Sequence, residues 1–233
     1  MRVTEPRLRT WTVCGRPVQL WLAPYEAQRF DSACFAEAGI ARPSALAGAV
    51  VKRQAEYFYG RLCARAALAA LGVHGAAVGT GPAREPLWPA GTTGSITHTR
   101  SLAAAVALPA AQQRGVGIDI EAHADDGARE SIAAMVLNAR ELALLRGKGG
   151  ALGDAVLLSL AFSAKESFYK AVYGAVGRFV DFDAIEIDTL DVAQGRIGFT
   201  LTETLCGAWQ AGSRGEAGFE LLDEHHVITG VLW

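Results

Sequence analysis

The chain has 233 residues, 51% of them hydrophobic, with a formal net charge of −2 and four cysteines. That length and apolar content fill one large core or two small ones, which excludes a disordered chain. The near-neutral charge excludes a general attraction for nucleic acid, so an anionic ligand has to be held by a local basic patch. Cys14, Cys34, Cys63 and Cys206 are scattered with no C-x-x-C pair, which fits neither a zinc knuckle nor a disulfide framework and predicts reduced thiols. The opening "MRVTEPRLRTWTV" lacks a signal-peptide core, and the longest apolar run, 102–111, is too short and Pro-interrupted to cross a bilayer. The expectation is a cytoplasmic protein with no membrane partner.

In chain order, a strand is predicted at 18–23 and a helix at 44–71. Within that helix, Val51, Ala55, Phe58, Leu62, Ala66 and Ala69 form an apolar stripe, while Arg53, Tyr57, Arg61 and Arg65 line its flank at four-residue steps. Such a line is either a solvated basic face or a grip for several phosphate oxygens. A Gly- and Pro-rich loop spans 79–94. The segment "TGSITHTR" at 93–100 then places Thr97 and His98 at a strand end among hydroxyls.

A strand at 102–108 leads to the polar joint 109–115, the expected boundary between an N-terminal lobe (1–112) and a C-terminal lobe (113–233). The second half reads as a strand at 116–121, helices at about 128–147 and at 154–176 around a loop at 146–153, and strands at 184–188, 196–203 and 227–233. The whole is a mixed α/β (α+β) pattern. A faint echo links the halves, because each long helix carries E-x-F-Y, at Glu56–Tyr59 and at Glu166–Tyr169.

The strand "GVGIDIE" at 115–121 puts Asp119 and Glu121 on one face and Ile118 and Ile120 on the other, because side chains alternate along a strand. If that strand end is exposed, the two acids simply face water; if it is enclosed, they repel and require a cation. In "LAFSAKESFYKAVYGAVG" at 160–177, Ala161, Ala164, Phe168, Ala171 and Val172 share the predicted inward face. Phe162, Glu166, Tyr169, Lys170 and Tyr173 gather opposite. Glu166 and Lys170, four apart, are either a surface ion pair or part of a partly dry cleft. Three carboxylates in one cleft, with no Cys or His cluster, suit a hard cation such as magnesium or manganese, and Lys165 and Lys170 beside them suit phosphate.

"GSITHT", "GVGIDIE" and "FSAKESFYKA", in that order and at these distances, resemble the 4′-phosphopantetheinyl transferase family. "KRQAEYFYGRLCAR" and "REPLWPAGTTGSITHT" resemble the subgroup that includes the enterobactin and mycobacterial enzymes. The resemblance covers roughly residues 45–175. It implies two similar lobes related by pseudo-two-fold symmetry in a monomer, with coenzyme A between them. The implied reaction moves the phosphopantetheine arm of coenzyme A to a serine of an apo acyl, peptidyl or aryl carrier protein, leaving 3′,5′-ADP. By motif position, Asp119, Glu121 and Glu166 would bind magnesium and Lys170 would contact the transferred phosphate. Arg53 and Arg61 would hold coenzyme A phosphates, His98 with Thr97 the 3′-phosphate, and Arg84 would lie by the adenine. Lys165 is a further expected phosphate contact. The base would be Glu166 or a water or hydroxide on the metal. Fatty acid, polyketide, nonribosomal peptide and siderophore carriers all remain open as the natural target.

Overall fold

The computed structural model describes residues 3–233, so the first two residues of the expected N-terminal lobe lie outside the described residues. The chain forms two compact units: one takes in the chain through Trp11 together with Pro17–Arg114, the other Thr12–Arg16 and Gly115–Trp233. No helix among the described residues is long and apolar enough to cross a membrane.

In the first unit, strands β1 (Arg7–Val13), β2 (Arg16–Pro24), β5 (Thr92–His98) and β6 (Leu102–Pro109) form a sheet in the order β1-β2-β6-β5. A short helix α1 (Ala33–Glu37), the long helix α2 (Val51–Ala70) and a small hairpin of β3 (Gly79–Thr80) and β4 (Pro86–Leu87) complete it. Ala103, Ala105 and Ala107 alternate along β6 and are buried with α2, whose Phe58, Tyr59, Leu62, Cys63, Ala67 and Leu68 fill the core. Small side chains on the sheet let the helix approach closely, and Gly60 continues this: a Cβ there would sit 2.9 Å from Ile96 Cγ2. The apolar stripe of α2 is correct at Ala55, Phe58 and Leu62. Val51, 48% exposed, lies outside the core and Ala66 and Ala69 are only half-buried, while Tyr59, which the stripe did not include, is buried and stacks on Tyr25 at 4.7 Å. Helix α2 ends where Gly72 adopts φ +78, the left-handed stop that glycine supplies without strain.

In the second unit, β7 (Val116–Ala122), β8 (Ile185–Asp191), β9 (Arg196–Leu201), β10 (Arg214–Leu221) and β11 (His226–Leu232) form an antiparallel sheet in the order β7-β11-β10-β9-β8. Helices α3 (Asp126–Met135), α4 (Ala139–Lys148) and α5 (Asp154–Val176) accompany it. The single helix expected at 128–147 is two: Asn138 accepts from the backbone N–H groups of Arg140 and Glu141, and Glu141 accepts from that of Asn138. This reciprocal cap satisfies donors that a continuous helix would bond internally, so a new helix begins there. Strand β10 was not anticipated because "RGEAGFEL" mixes charge and glycine, and only Ala217, Gly218 and Phe219 are buried. Each unit, by itself, is a largely antiparallel sheet carrying one long helix, which places the chain in the mixed α/β (α+β) class.

Candidate functional site

In the second unit, the chemistry gathers where α5 lies on β7. The glycines of "GVGIDIE" make that approach possible. A Cβ on Gly117 would collide with Ser167 O and sit 2.6 Å from Ala171 N, and one on Gly115 would collide with Ala171 O. A polar seam then pins α5 to β7 and to the neighbouring β11 and the residue after it. Ser163 Oγ donates to Asp119 O at 3.0 Å, and Ser167 Oγ donates to Thr229 O at 3.1 Å. Trp233 Nε1 donates to Ala171 O at 2.8 Å.

On this seam Asp119 is buried, 3% exposed, and Lys170 Nζ donates to its Oδ1 at 2.6 Å. Asp119 and Glu121 share one face of β7, as expected, and that face is drawn in from water, with Asp119 buried and Glu121 half-buried. Burial, and then the Asp119 carboxylate, push Glu121 up to about 8 against the pull of Lys170; Glu166 adds to the repulsion. Burial also raises Glu166, with Lys170 drawing it down and Asp119 pushing it up. The three carboxyls and the Lys170 ammonium thus act on one another electrostatically. The i, i+4 reading of Glu166 and Lys170 is replaced by a tertiary pair, since the lysine is bonded across to Asp119.

Lys165 corrects an expectation. It sits one residue from Glu166, but a helix turns about 100° per residue, and its side chain points into the protein with 2% exposure. Nζ lies 2.7 Å from Glu141 Oε1 and donates to Phe182 O at 2.9 Å and Ile185 O at 3.1 Å. All three donors are used, so Lys165 has none left for a phosphate.

In the first unit, a cavity of about 350 Å³ is lined by Arg53, Arg61, Arg84 and His98, with Glu56, Tyr57, Thr80 and Ile96 among its other walls. Arg53 Nη1 lies 3.2 Å from both Glu56 Oε2 and His98 Nε2. A guanidinium only donates, so Nε2 accepts and the His98 proton resides on Nδ1. Arg61 stacks its guanidinium 4.6 Å over the Tyr57 ring and donates to Gly79 O and Thr80 Oγ1. Burial lowers its pKa. Arg84 caps the β3–β4 turn with φ +69. Thr97 corrects a second expectation. It alternates with His98 along β5, so while Ile96 and His98 line the cavity, the Thr97 side chain faces the opposite side, 3% exposed. Tyr57 lines the cavity together with Arg53 and Arg61, as expected from its place on the basic flank of the helix, whereas Glu56 was legible only as part of a helical repeat and nothing in the sequence marked it as a cavity wall.

Among the described residues no three His, Cys, Asp or Glu side chains already converge into a metal-ligating cluster. The donor set still fits a hard divalent cation. It offers oxygen alone, without thiolate or imidazole, and two of its three acids are held above their ordinary range by burial and mutual repulsion, which a cation would relieve.

Both units resemble known proteins. Residues 42–108 match the model of the 4′-phosphopantetheinyl transferase N-terminal domain, and 115–229 that of the 4′-phosphopantetheinyl transferase superfamily. Enterobactin synthase component D of Salmonella typhi is 40% identical over 60% of this chain and 56% of its own length. The 4′-phosphopantetheinyl transferase Svp of Streptomyces mobaraensis is 37% identical over 61% and 57%. The transferase PptT of Mycobacterium tuberculosis is 37% identical over 61% of each. The chain thus spans less than two thirds of the length of these relatives.

Proposed function

Because the chain belongs to the 4′-phosphopantetheinyl transferase superfamily, we propose that it moves the 4′-phosphopantetheine arm of coenzyme A onto a serine of an apo acyl, peptidyl or aryl carrier protein. The observation that carries this reading is the half-buried group of Asp119, Glu121, Glu166 and Lys170, with the lysine already 2.6 Å from a buried acid. A binding module for coenzyme A would need the arginine-lined cavity of the first unit but not this group.

In the reaction the serine Oγ bonds to the β-phosphorus of coenzyme A, the bond from that phosphorus to the bridging oxygen breaks, and 3′,5′-ADP departs. Arg53, Arg61 and His98 hold phosphate charge of the nucleotide half, and Arg84 borders the base. Magnesium, or manganese in its place, would be held by Asp119, Glu121 and Glu166, and supplies charge neutralisation at the pyrophosphate. Lys170 is shared between Asp119 and the transferred phosphate, so it stabilises the charge that grows there. Glu166, whose affinity for a proton is raised by burial, accepts the serine proton. We read the protein as a cytoplasmic monomer, and free Cys14, Cys34, Cys63 and Cys206 suit that reducing compartment.

Incubating the protein with coenzyme A, magnesium and a panel of apo carriers, with siderophore-synthase carriers first, tests the reading by intact mass. A gain of one phosphopantetheine at the carrier serine is the expected result. Tight coenzyme A binding without transfer overturns it in favour of a binding module, and coenzyme A cleavage without a carrier overturns it in favour of a hydrolase.

A further inference from the structure

The most completely enclosed charges in the second unit belong to Lys165 and Glu141, whose side chains are 2% and 1% exposed. Neither is a site residue in the reading above. Every polar atom of the pair is engaged: besides Lys165, Glu141 Oε1 accepts from Ile187 N at 2.9 Å and Oε2 from Asn138 N at 2.8 Å. One ion pair therefore ties the middle of α5 to the start of α4, to Phe182 and Ile185 through their carbonyls, and to β8. A buried ion pair contributes little net stability compared with apolar side chains of the same volume, because both charges must be desolvated. Fold stability alone does not explain why charges stand here.

Their place on the helix suggests a different use. The opposite edge of α5 is fixed to β7 through Gly117, Ser163 and Lys170. Lys165 is next to Glu166, so it sets the rotation of α5 at the point where Glu166 is presented. With side chains reaching about 6 Å from the helix axis, a rotation of ~20° would move the Glu166 carboxylate by about 2 Å, and displacements near 1 Å can cost about 10²-fold in rate. We propose that the Lys165–Glu141 pair is a positioning device that sets the rotation of α5 and so holds Glu166 and Lys170 in register with Asp119. This rests on reading the acidic group as a site for a divalent cation. Lys165 and Glu141 are positioning residues and touch no substrate.

The double variant E141Q/K165M tests it, because glutamine keeps the helix cap and methionine keeps the apolar stem while both charges leave together. The expected result is a cooperatively folded protein whose affinity for Mn2+, titrated by electron paramagnetic resonance without coenzyme A, weakens about tenfold. Its kcat falls by a similar factor while KM for coenzyme A holds. A folded double variant that binds Mn2+ as tightly as the wild type overturns the proposal, since a pair serving only to pack the core would leave the affinity alone. Should the double variant not fold, E141D retracts the carboxylate by one methylene with both charges kept; about threefold weaker Mn2+ binding supports the proposal and unchanged binding overturns it. Wild-type protein that binds no Mn2+ also overturns it. Wild-type protein that binds Mn2+ but modifies no carrier leaves the positioning role standing and sinks the transferase reading instead.

Discussion

Single side chains in the two units do opposite electrostatic work, and each can be probed separately. Arg53 is held between Glu56 and His98 at 3.2 Å from each, so it is oriented before any ligand arrives and loses little freedom on binding. Arg53→Ala should weaken coenzyme A binding by about 1–3 kcal/mol, the scale of a charge-assisted hydrogen bond, with the helical circular dichroism unchanged; calorimetric titration measures it, and unaltered affinity would make the arginine line a solvated face. Glu121 has the reverse problem. Its carboxyl rises from 4.5 to about 8 in the folded protein, so between those values the native state keeps a proton that the unfolded chain has released. The contribution of Glu121 to stability is therefore fully present below about pH 4.5 and is lost as pH rises through 8. Thermal melts of the metal-free protein should show Tm falling across that window, with added magnesium raising it again at pH 8 by binding the ionised form. Glu121→Gln should flatten the profile, and a profile as steep in the variant as in the wild type would place the cause elsewhere.

At the scale of elements, the contact of α5 with β7 decides whether the acids and the lysine meet at all. Gly117→Ala is the sharpest probe, because the added methyl would meet the backbone of Ser167 and Ala171, which cannot swing aside as a side chain can. It should cost about 3 kcal/mol or more in urea melts, at the upper end for overpacking, and should depress activity further than the unfolded fraction explains. Wild-type stability and rate in this variant would mean that the helix does not depend on the close approach. The shared face of Asp119 and Glu121 and the inward face Ala161, Ala164, Phe168, Ala171 and Val172 were legible, because they follow from the periods of strand and helix, whereas the close approach at Gly117 was not, because it depends on which helix lies over the strand. Nor was the role of Lys165. Periodicity separates apolar from polar positions, whereas a buried lysine is set by a partner, Glu141, that only the tertiary fold brings within 2.7 Å. Thr97 was misplaced for a simpler reason: neighbouring strand residues face opposite ways, so it could not share a contact with the His98 side chain.

Across the whole molecule the proposed tasks divide by unit, with ligand-holding cations in the first and the reacting group in the second. That division makes a kinetic prediction. Interactions equally strong in ground and transition states alter KM, whereas those made only as the reaction proceeds alter kcat. Arg53→Ala removes a contact to a part of coenzyme A that does not react, so it should raise KM for coenzyme A about 10-fold to 100-fold, in line with its binding loss, and leave kcat nearly unchanged. Glu166→Gln keeps an oxygen for the cation but cannot take the serine proton, so kcat should fall about 10²–10⁴-fold while coenzyme A affinity survives. Magnesium dependence of the same variant separates its two assigned duties. A rate restored by high magnesium would identify Glu166 as chiefly a ligand, whereas a rate that stays low at saturating metal identifies it as the base. Steady-state kinetics with a fixed apo carrier measures all of these quantities. Equal falls in kcat for both variants would mean that the arginine of the first unit also acts in the transition state, and the division of tasks would be wrong.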